Sequence, residues 1–246
     1  MRNVPFTLFK AAMVAGTAIG LSACSLTIGD DDDAAAPTGG ETVTGEAFDS
    51  IALSGPDDVI VSAGETASWT VEGDAETLEK LRIRVDGGEL KIRRSNNVMQ
   101  WGKGDGKAII KVTMPVLKRF SLAGSGDGEV AEMVGDSGEI DLAGSGAISV
   151  AKVALERLEV DLAGSGDVVL AGEAQQLEVS MAGSGDVEAA KLKADTVEVS
   201  VAGSGDVEIA SDGEVDASIA GSGSITVSGK AKCTSDSVGS GKLTCG

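Results

Sequence analysis

The sequence predicts an all-β protein: a right-handed parallel β-solenoid, or β-helix, of 18–20-residue coils behind an N-terminal β capping region. Three observations carry that prediction. The phrase Ala-Gly-Ser-Gly occurs six times, with a seventh Gly-Ser-Gly, at near-constant spacing. Apolar and polar residues alternate between the copies. Aromatic residues are 2% of the 246-residue chain while glycine reaches 35 residues, so small aliphatic side chains must fill a narrow core.

The turns set the period. Paired glycines stand at Gly124 and Gly126, Gly144 and Gly146, Gly164 and Gly166, Gly183 and Gly185, Gly203 and Gly205, Gly221 and Gly223, and Gly239 and Gly241. Their first members are 20, 20, 19, 20, 18 and 18 residues apart, a period that indicates stacked coils. Glycine on both sides of a serine suits a tight corner that needs positive φ or close approach of adjacent layers. The serines from Ser125 to Ser240 are expected to form a hydrogen-bonded ladder along that edge.

The strands follow from the alternation. Leu158-Glu-Val160-Asp-Leu162 and Val197-Glu-Val199-Ser-Val201 have the period of half-buried strands. Each coil is expected to hold two strands, a short one after the turn (168–170, 207–209) and a longer one before the next (177–181, 215–219). At about 4.8 Å per layer, seven coils make a rod roughly 30 Å long, right-handed as parallel connections prefer.

Residues 47–120 are expected to begin the solenoid and cap its first edge, leaving 121–246 as the repeat array. Phe48 to Val61 looks like an early coil with Gly55-Pro56 at its corner. Strand candidates at 67–71, 81–85, 90–93 and 108–114 follow, with a helical turn at 75–80.

The N-terminus reads as an export signal. Arg2 and Lys10 accompany an apolar run from Ala11 to Ala23, too short to cross a hydrocarbon core of about 30 Å as a helix. Residues 1–23 are therefore read as a signal peptide. The run ends in Leu21-Ser22-Ala23-Cys24, which resembles the bacterial lipobox and implies a lipid on Cys24. The alternative is an ordinary signal peptide that happens to hold a cysteine. By the same resemblance, Ser25 in place of an aspartate points to the outer membrane, on its periplasmic or surface face. Residues 24–46, with Asp30 to Asp33 and paired glycines, are expected to form an acidic tether.

Charge and residue types narrow the function. The net charge is −19, which argues against nucleic acid as a partner. Histidine is absent, so Gly-Ser-Gly cannot be the elbow of a Ser-His pair. A phosphate loop needs both a following helix and a lysine, and the alternation after each copy excludes the helix. The expectation is therefore no catalytic residue, no cofactor and no resident metal. Asp127, Asp167, Asp186 and Asp206 follow four of the seven turns. Solvated side chains are the favoured reading, and a calcium-binding column is the alternative.

Residues 80–119 carry eleven Lys/Arg against three Asp/Glu. Within them Arg82, Arg84, Arg93, Arg94 and Lys103, together with Trp101 in a glycine-rich loop, form a candidate surface for anionic headgroups or sugar. A solvated face that balances the acidic rod is the plainer reading. Cys233 and Cys245 lie in the last coils of an exported chain, where a disulfide is the natural reading and a free buried pair the alternative. On the 18-residue period they occupy the inward places of Val215 and Val227.

Phe48-x-x-Ile51-x-Leu53-x-Gly55, then Leu90-x-Ile92, then Val112-Thr-Met-Pro115-x-Leu117 leading into Leu122-Ala-Gly-Ser-Gly126 resemble the DUF2807 family, also called the auto-transporter adhesin head GIN domain. The likeness spans about residues 47–246. It implies stacked strands in an envelope-associated protein, often a lipoprotein, and supplies no catalytic residues. The expected function is a non-catalytic envelope lipoprotein held to the membrane by its lipid, acting as a structural, adhesion or binding module toward an envelope protein or glycan. An assembly or signalling factor acting through protein contacts is the alternative. A polysaccharide-active enzyme is disfavoured, because 18–20-residue coils leave no insertions to build a cleft.

Overall fold

The computed structural model describes residues 43–44, 47–95 and 106–246. The expected signal peptide, Cys24 and most of the tether lie outside the described residues, as do Trp101 and Lys103. The described strands form one continuous sheet that winds into a β-solenoid of stacked parallel coils.

The N-terminal part opens with β1 (Val43–Thr44), β2 (Ser50–Gly55), β3 (Asp58–Ala63) and β4 (Ser68–Glu72). Next come α1 (Ala75–Lys80), β5 (Leu81–Asp86), β6 (Glu89–Arg94) and β7 (Ile109–Met114). The repeat region holds β8 (Arg119–Gly124), β9 (Asp127–Val130), β10 (Met133–Gly144), β11 (Ala147–Gly164) and β12 (Asp167–Gly183). It continues with β13 (Asp186–Gly203), β14 (Asp206–Gly221), β15 (Ser224–Ser228), β16 (Lys232–Gly239) and β17 (Lys242–Cys245).

A full coil has three sides rather than the expected two strands. Strand β11 bends at two exposed pairs, Ala151-Lys152 and Glu156-Arg157. Between the bends, Val153 and Leu155 point inward on a short third side. Ile148 and Val150 fill the side after the glycine corner, and Leu158, Val160 and Leu162 fill the long side before the next. The short side was hidden because each exposed pair breaks the period-2 pattern, leaving a stretch too brief to read as a strand. Coil-length differences are absorbed at these bends. The 19-residue coil of β12 is one residue short between Val150 and Val153 of its neighbour, and Gly172 (φ 128°) takes the bend.

The early coil 48–63 is in register with the repeat, Gly55 opposite Gly124, yet it is not the end of the rod. Strand β2 pairs in parallel with β6 on one side and β8 on the other, and β3 pairs likewise with β7 and β9. The chain thus makes one coil, runs outward to lay β6 and β7 over it, and returns to start the repeat beneath. Antiparallel β5 then lines β6, and antiparallel β4 lines β7 with the short β1 beyond it. Helix α1 is capped by Asp74, whose carboxylate accepts the Thr77 N–H at 2.9 Å.

The core is one continuous cluster dominated by Val, Ile and Leu, with Phe48, Trp69, Phe120 and three methionines among them. Where the repeat places Gly128 at an inward position, opposite Ile148 and Val59, the Phe120 ring occupies the space, and a Cβ on Gly128 would meet it at 2.5 Å. One large residue is thereby matched by one absent side chain, keeping the density that interiors require.

Candidate functional site

The corner is a backbone device. The first glycine of each pair has positive φ, 142° at Gly183 and 148° at Gly203, where other residues are strained. A Cβ on Gly203 would also collide with the carbonyl oxygen of Gly183 in the coil below. The second glycine has no such φ, but a Cβ on Gly205 would strike the Gly185 carbonyl. The layers stack glycine on glycine from Gly55 to Gly239. The ladder along this edge is formed by serine amides and not by hydroxyls: Ser184 donates its N–H to the Gly164 carbonyl at 2.8 Å, and Ser204 to Gly183 at 2.9 Å. The hydroxyls are exposed.

The aspartates after the corner have a structural task. Each carboxylate accepts the backbone N–H of the equivalent residue one layer on. Asp58 receives Asp127 at 3.0 Å, Asp127 receives Ala147 at 3.1 Å and Asp167 receives Asp186 at 3.3 Å. Asp186 receives Asp206 at 3.0 Å and Asp206 receives Ser224 at 2.9 Å. Asp127, Asp167, Asp186 and Asp206 are exposed, as solvated side chains would be, but they also stitch coil to coil. Lys107 closes the N-terminal end of the column, with its Nζ 2.9 Å from Asp58 and 3.3 Å from Asp127. These carboxylates hold its ammonium above the ordinary lysine value, with the Asp58 hydrogen bond the leading cause.

The long side presents outward rows that stay in register from coil to coil. Its outward row nearest the corner runs Ala123, Ala143, Ala163, Ala182, Ala202 and Ala220. The next row is Asp141, Asp161, Ser180, Ser200 and Ser218, and a third is Glu139, Glu159, Glu178, Glu198 and Asp216. The first two rows form a shallow trough of about 460 Å³ lined by Ala143, Ala163, Ala182, Ala202, Ser180 and Ser200 among others. Burial, reinforced by Asp141, raises the Glu139 carboxyl above the usual glutamate value.

The basic candidates divide. Across the β5–β6 pair, Arg82 stands opposite Arg93 and Arg84 opposite Lys91, so these four share one outward face. Asp86 tempers it, 2.6 Å from Lys91 and 3.9 Å from Arg84. Arg82 donates to the carbonyls of Glu79 at 2.7 Å and Leu81 at 2.9 Å, at the end of α1. Arg94 is not a surface contact residue. It turns inward to the fully buried Asp57, donating from Nε at 2.9 Å and Nη2 at 2.6 Å, and binds the Gly106 carbonyl at 2.7 Å. Asp57 also accepts the Ala108 N–H at 2.8 Å. Parity along β6 could have shown this, since Arg94 falls on the same face as the buried Leu90 and Ile92.

At the far end, Cys233 pairs in register with Val215 and Cys245 with Val227. The two cysteines are joined as a disulfide, with Cα atoms 6.4 Å apart.

Solved structures share this arrangement. A putative adhesin from Bacteroides fragilis is 23% identical, with a TM-score of 0.76 over 83% of this chain and 94% of that one. A putative lipid binding protein from Parabacteroides distasonis is 22% identical, with a TM-score of 0.65 over 84% and 95%. A putative adhesin from Parabacteroides merdae is 19% identical, with a TM-score of 0.61 over 83% and 94%. At these identities the likeness is one of fold. Among curated proteins, none matches the sequence. The family model described as "Putative auto-transporter adhesin, head GIN domain" matches residues 47–231, and the chain belongs to that family, DUF2807.

Proposed function

We propose that this chain is a non-catalytic, lipid-anchored module of the cell envelope whose solenoid makes structural or adhesive contact with an envelope protein or glycan. The observation that carries the reading is the register of the long side. Its outward rows repeat layer after layer without insertion, so the rod offers an extended flat surface of small and acidic side chains. Such a surface suits contact along a length. The family description supports adhesion, and the fold neighbours include two putative adhesins and a putative lipid binding protein.

The anchor rests on the Leu21-Ser22-Ala23-Cys24 segment, with the tether holding the rod off the membrane. The outward face of Arg82, Arg84, Lys91 and Arg93 gives the outer layer a basic patch that suits anionic headgroups. The test is a pull-down of the lipidated full chain from intact envelopes, beside a variant carrying Ala163→Arg and Ala182→Arg in the trough. Retention of a glycan or protein that the variant loses supports the reading, glycan favouring adhesion and protein favouring assembly or signalling. Retention of nothing, or of the same material by both forms, overturns it. A Cys24→Ala variant recovered in the membrane fraction like wild type would remove the anchor.

A further inference from the structure

The last coil is built unlike the others. Its inward positions stack on an apolar layer, Ser235 on Ala217, Ser237 on Ile219 and Leu243 on Ile225, with the two cysteines on Val215 and Val227. Along the Ser235 column the earlier coils carry Phe120, Ile140, Val160, Val179, Val199 and Ala217. Ser235, Ser237 and Cys245 are exposed, and Cys233 and Leu243 are half-buried. The layer beneath is buried, with Val215 and Ile225 at 0% exposure. The last coil thus shields apolar side chains while removing little apolar surface of its own from water.

We propose that the Cys233–Cys245 disulfide, rather than burial, holds this coil on the rod, making it a redox-releasable cover over the apolar end of the core. The bond ties β16 to β17 across 12 residues. A dithiol donor can reach Cys245, the exposed partner. Its thiolate attacks the Cys245 sulfur, the S–S bond breaks, and Cys233 leaves as a thiolate that takes a proton. The donor's second thiol then displaces Cys245. Two electrons and two protons pass to the protein, and the donor leaves as a disulfide. The freed segment can lift from β14 and β15, baring Ile219, Ile225 and Val227 and an open parallel edge.

Amide hydrogen exchange, read by mass spectrometry on the full chain before and after dithiothreitol, tests this. Peptides from residues 230–246 should exchange at least about tenfold faster once reduced, while those from 133–221 stay unchanged. Unchanged protection of 230–246 in fully reduced protein, loss of protection along the whole rod, or failure of dithiothreitol to reduce the folded chain would each overturn the proposal. A Ser235→Val, Ser237→Ile variant restores the aliphatic pattern and should keep its protection after reduction. Fraying of that variant to the wild-type extent would also count against it.

Discussion

Above Ala147 the backbone N–H of Asp167 donates to the Gly146 carbonyl at 3.1 Å, where the equivalent amides of neighbouring layers meet an aspartate. The same substitution of partners recurs above Ser224, where Lys242 donates to the Gly223 carbonyl at 3.2 Å. These are the two layers of the repeat that offer no carboxylate to the amide above. The column is therefore a chain of local caps, and its interruptions are met by the glycine backbone. Filling the gap with Ala147→Asn should stabilise the rod by about 0.5–1 kcal/mol, the net worth of one hydrogen bond. Ala147→Asp should gain less at low salt, because it sets a third charge between Asp127 and Asp167. Thermal unfolding of both variants at two ionic strengths checks this; equal behaviour of Asn and Asp at low salt would show that repulsion along the column is negligible.

Glycine is required for different reasons at different places. Gly88 in the β5–β6 turn has φ 83° and open space around a would-be Cβ, so Gly88→Ala should cost only the left-handed strain, about 1–2 kcal/mol. Gly203→Ala meets both the φ and the Gly183 carbonyl, and relief requires the layers to part. It should cost well over ~3 kcal/mol or prevent folding. Gly205→Ala, strained by contact alone, separates the two effects. Circular dichroism melts of the three variants should rank Gly88 mildest.

The Asp57–Arg94 pair locks the outer layer to the first coil. Arg94→Met leaves a buried carboxylate with only the Ala108 amide, and breaking such a pair from one side costs about 3–5 kcal/mol. Arg94→Lys should rescue little, since one ammonium cannot reproduce the two guanidinium bonds to Asp57 and the bond to Gly106. Denaturant titration gives the size of the loss, and amide exchange across 106–114 gives its place. An effect on exchange confined to the repeat coils would place the lock elsewhere.

What the sequence discloses is what repeats along it. The glycine spacing and the alternation set the coil and its corner, and the 18-residue period alone puts Cys233 above Val215. The sandwiched position of 48–63 is not periodic. It depends on Gly55 meeting Gly124, distant in the sequence, which no local pattern encodes. The task of the aspartates was equally hidden, because their partners are backbone amides that carry no residue signal. Arg94 is legible by parity with Leu90 and Ile92, although its place in a basic run suggests the surface.

Glu139 carries a pH dependence built into the long side. Burial lifts its carboxyl above the ordinary glutamate value, and Asp141, Glu159 and Asp161 push the same way, against the pull of Arg119, whose guanidinium lies 2.9 Å away. A raised value means that the folded state holds this proton more tightly than the unfolded chain does. The contribution is thus fully present below the unfolded glutamate range and is lost as pH rises through the folded value. Asp86 and Asp212 run the opposite way. Hydrogen bonds from Lys91 and Lys193 hold them below the aspartate range, so their contribution is present at neutral pH and lost on acidification. Glu139→Gln cannot ionise, so it should melt higher than wild type near pH 7 and lose that advantage as the pH falls and the wild-type carboxyl takes up its proton. Removing the counter-charge with Arg119→Gln should raise the Glu139 carboxyl further and widen the gap at pH 7. An advantage of Glu139→Gln that is the same at both pH values would mean that shape, and not ionisation, sets the effect.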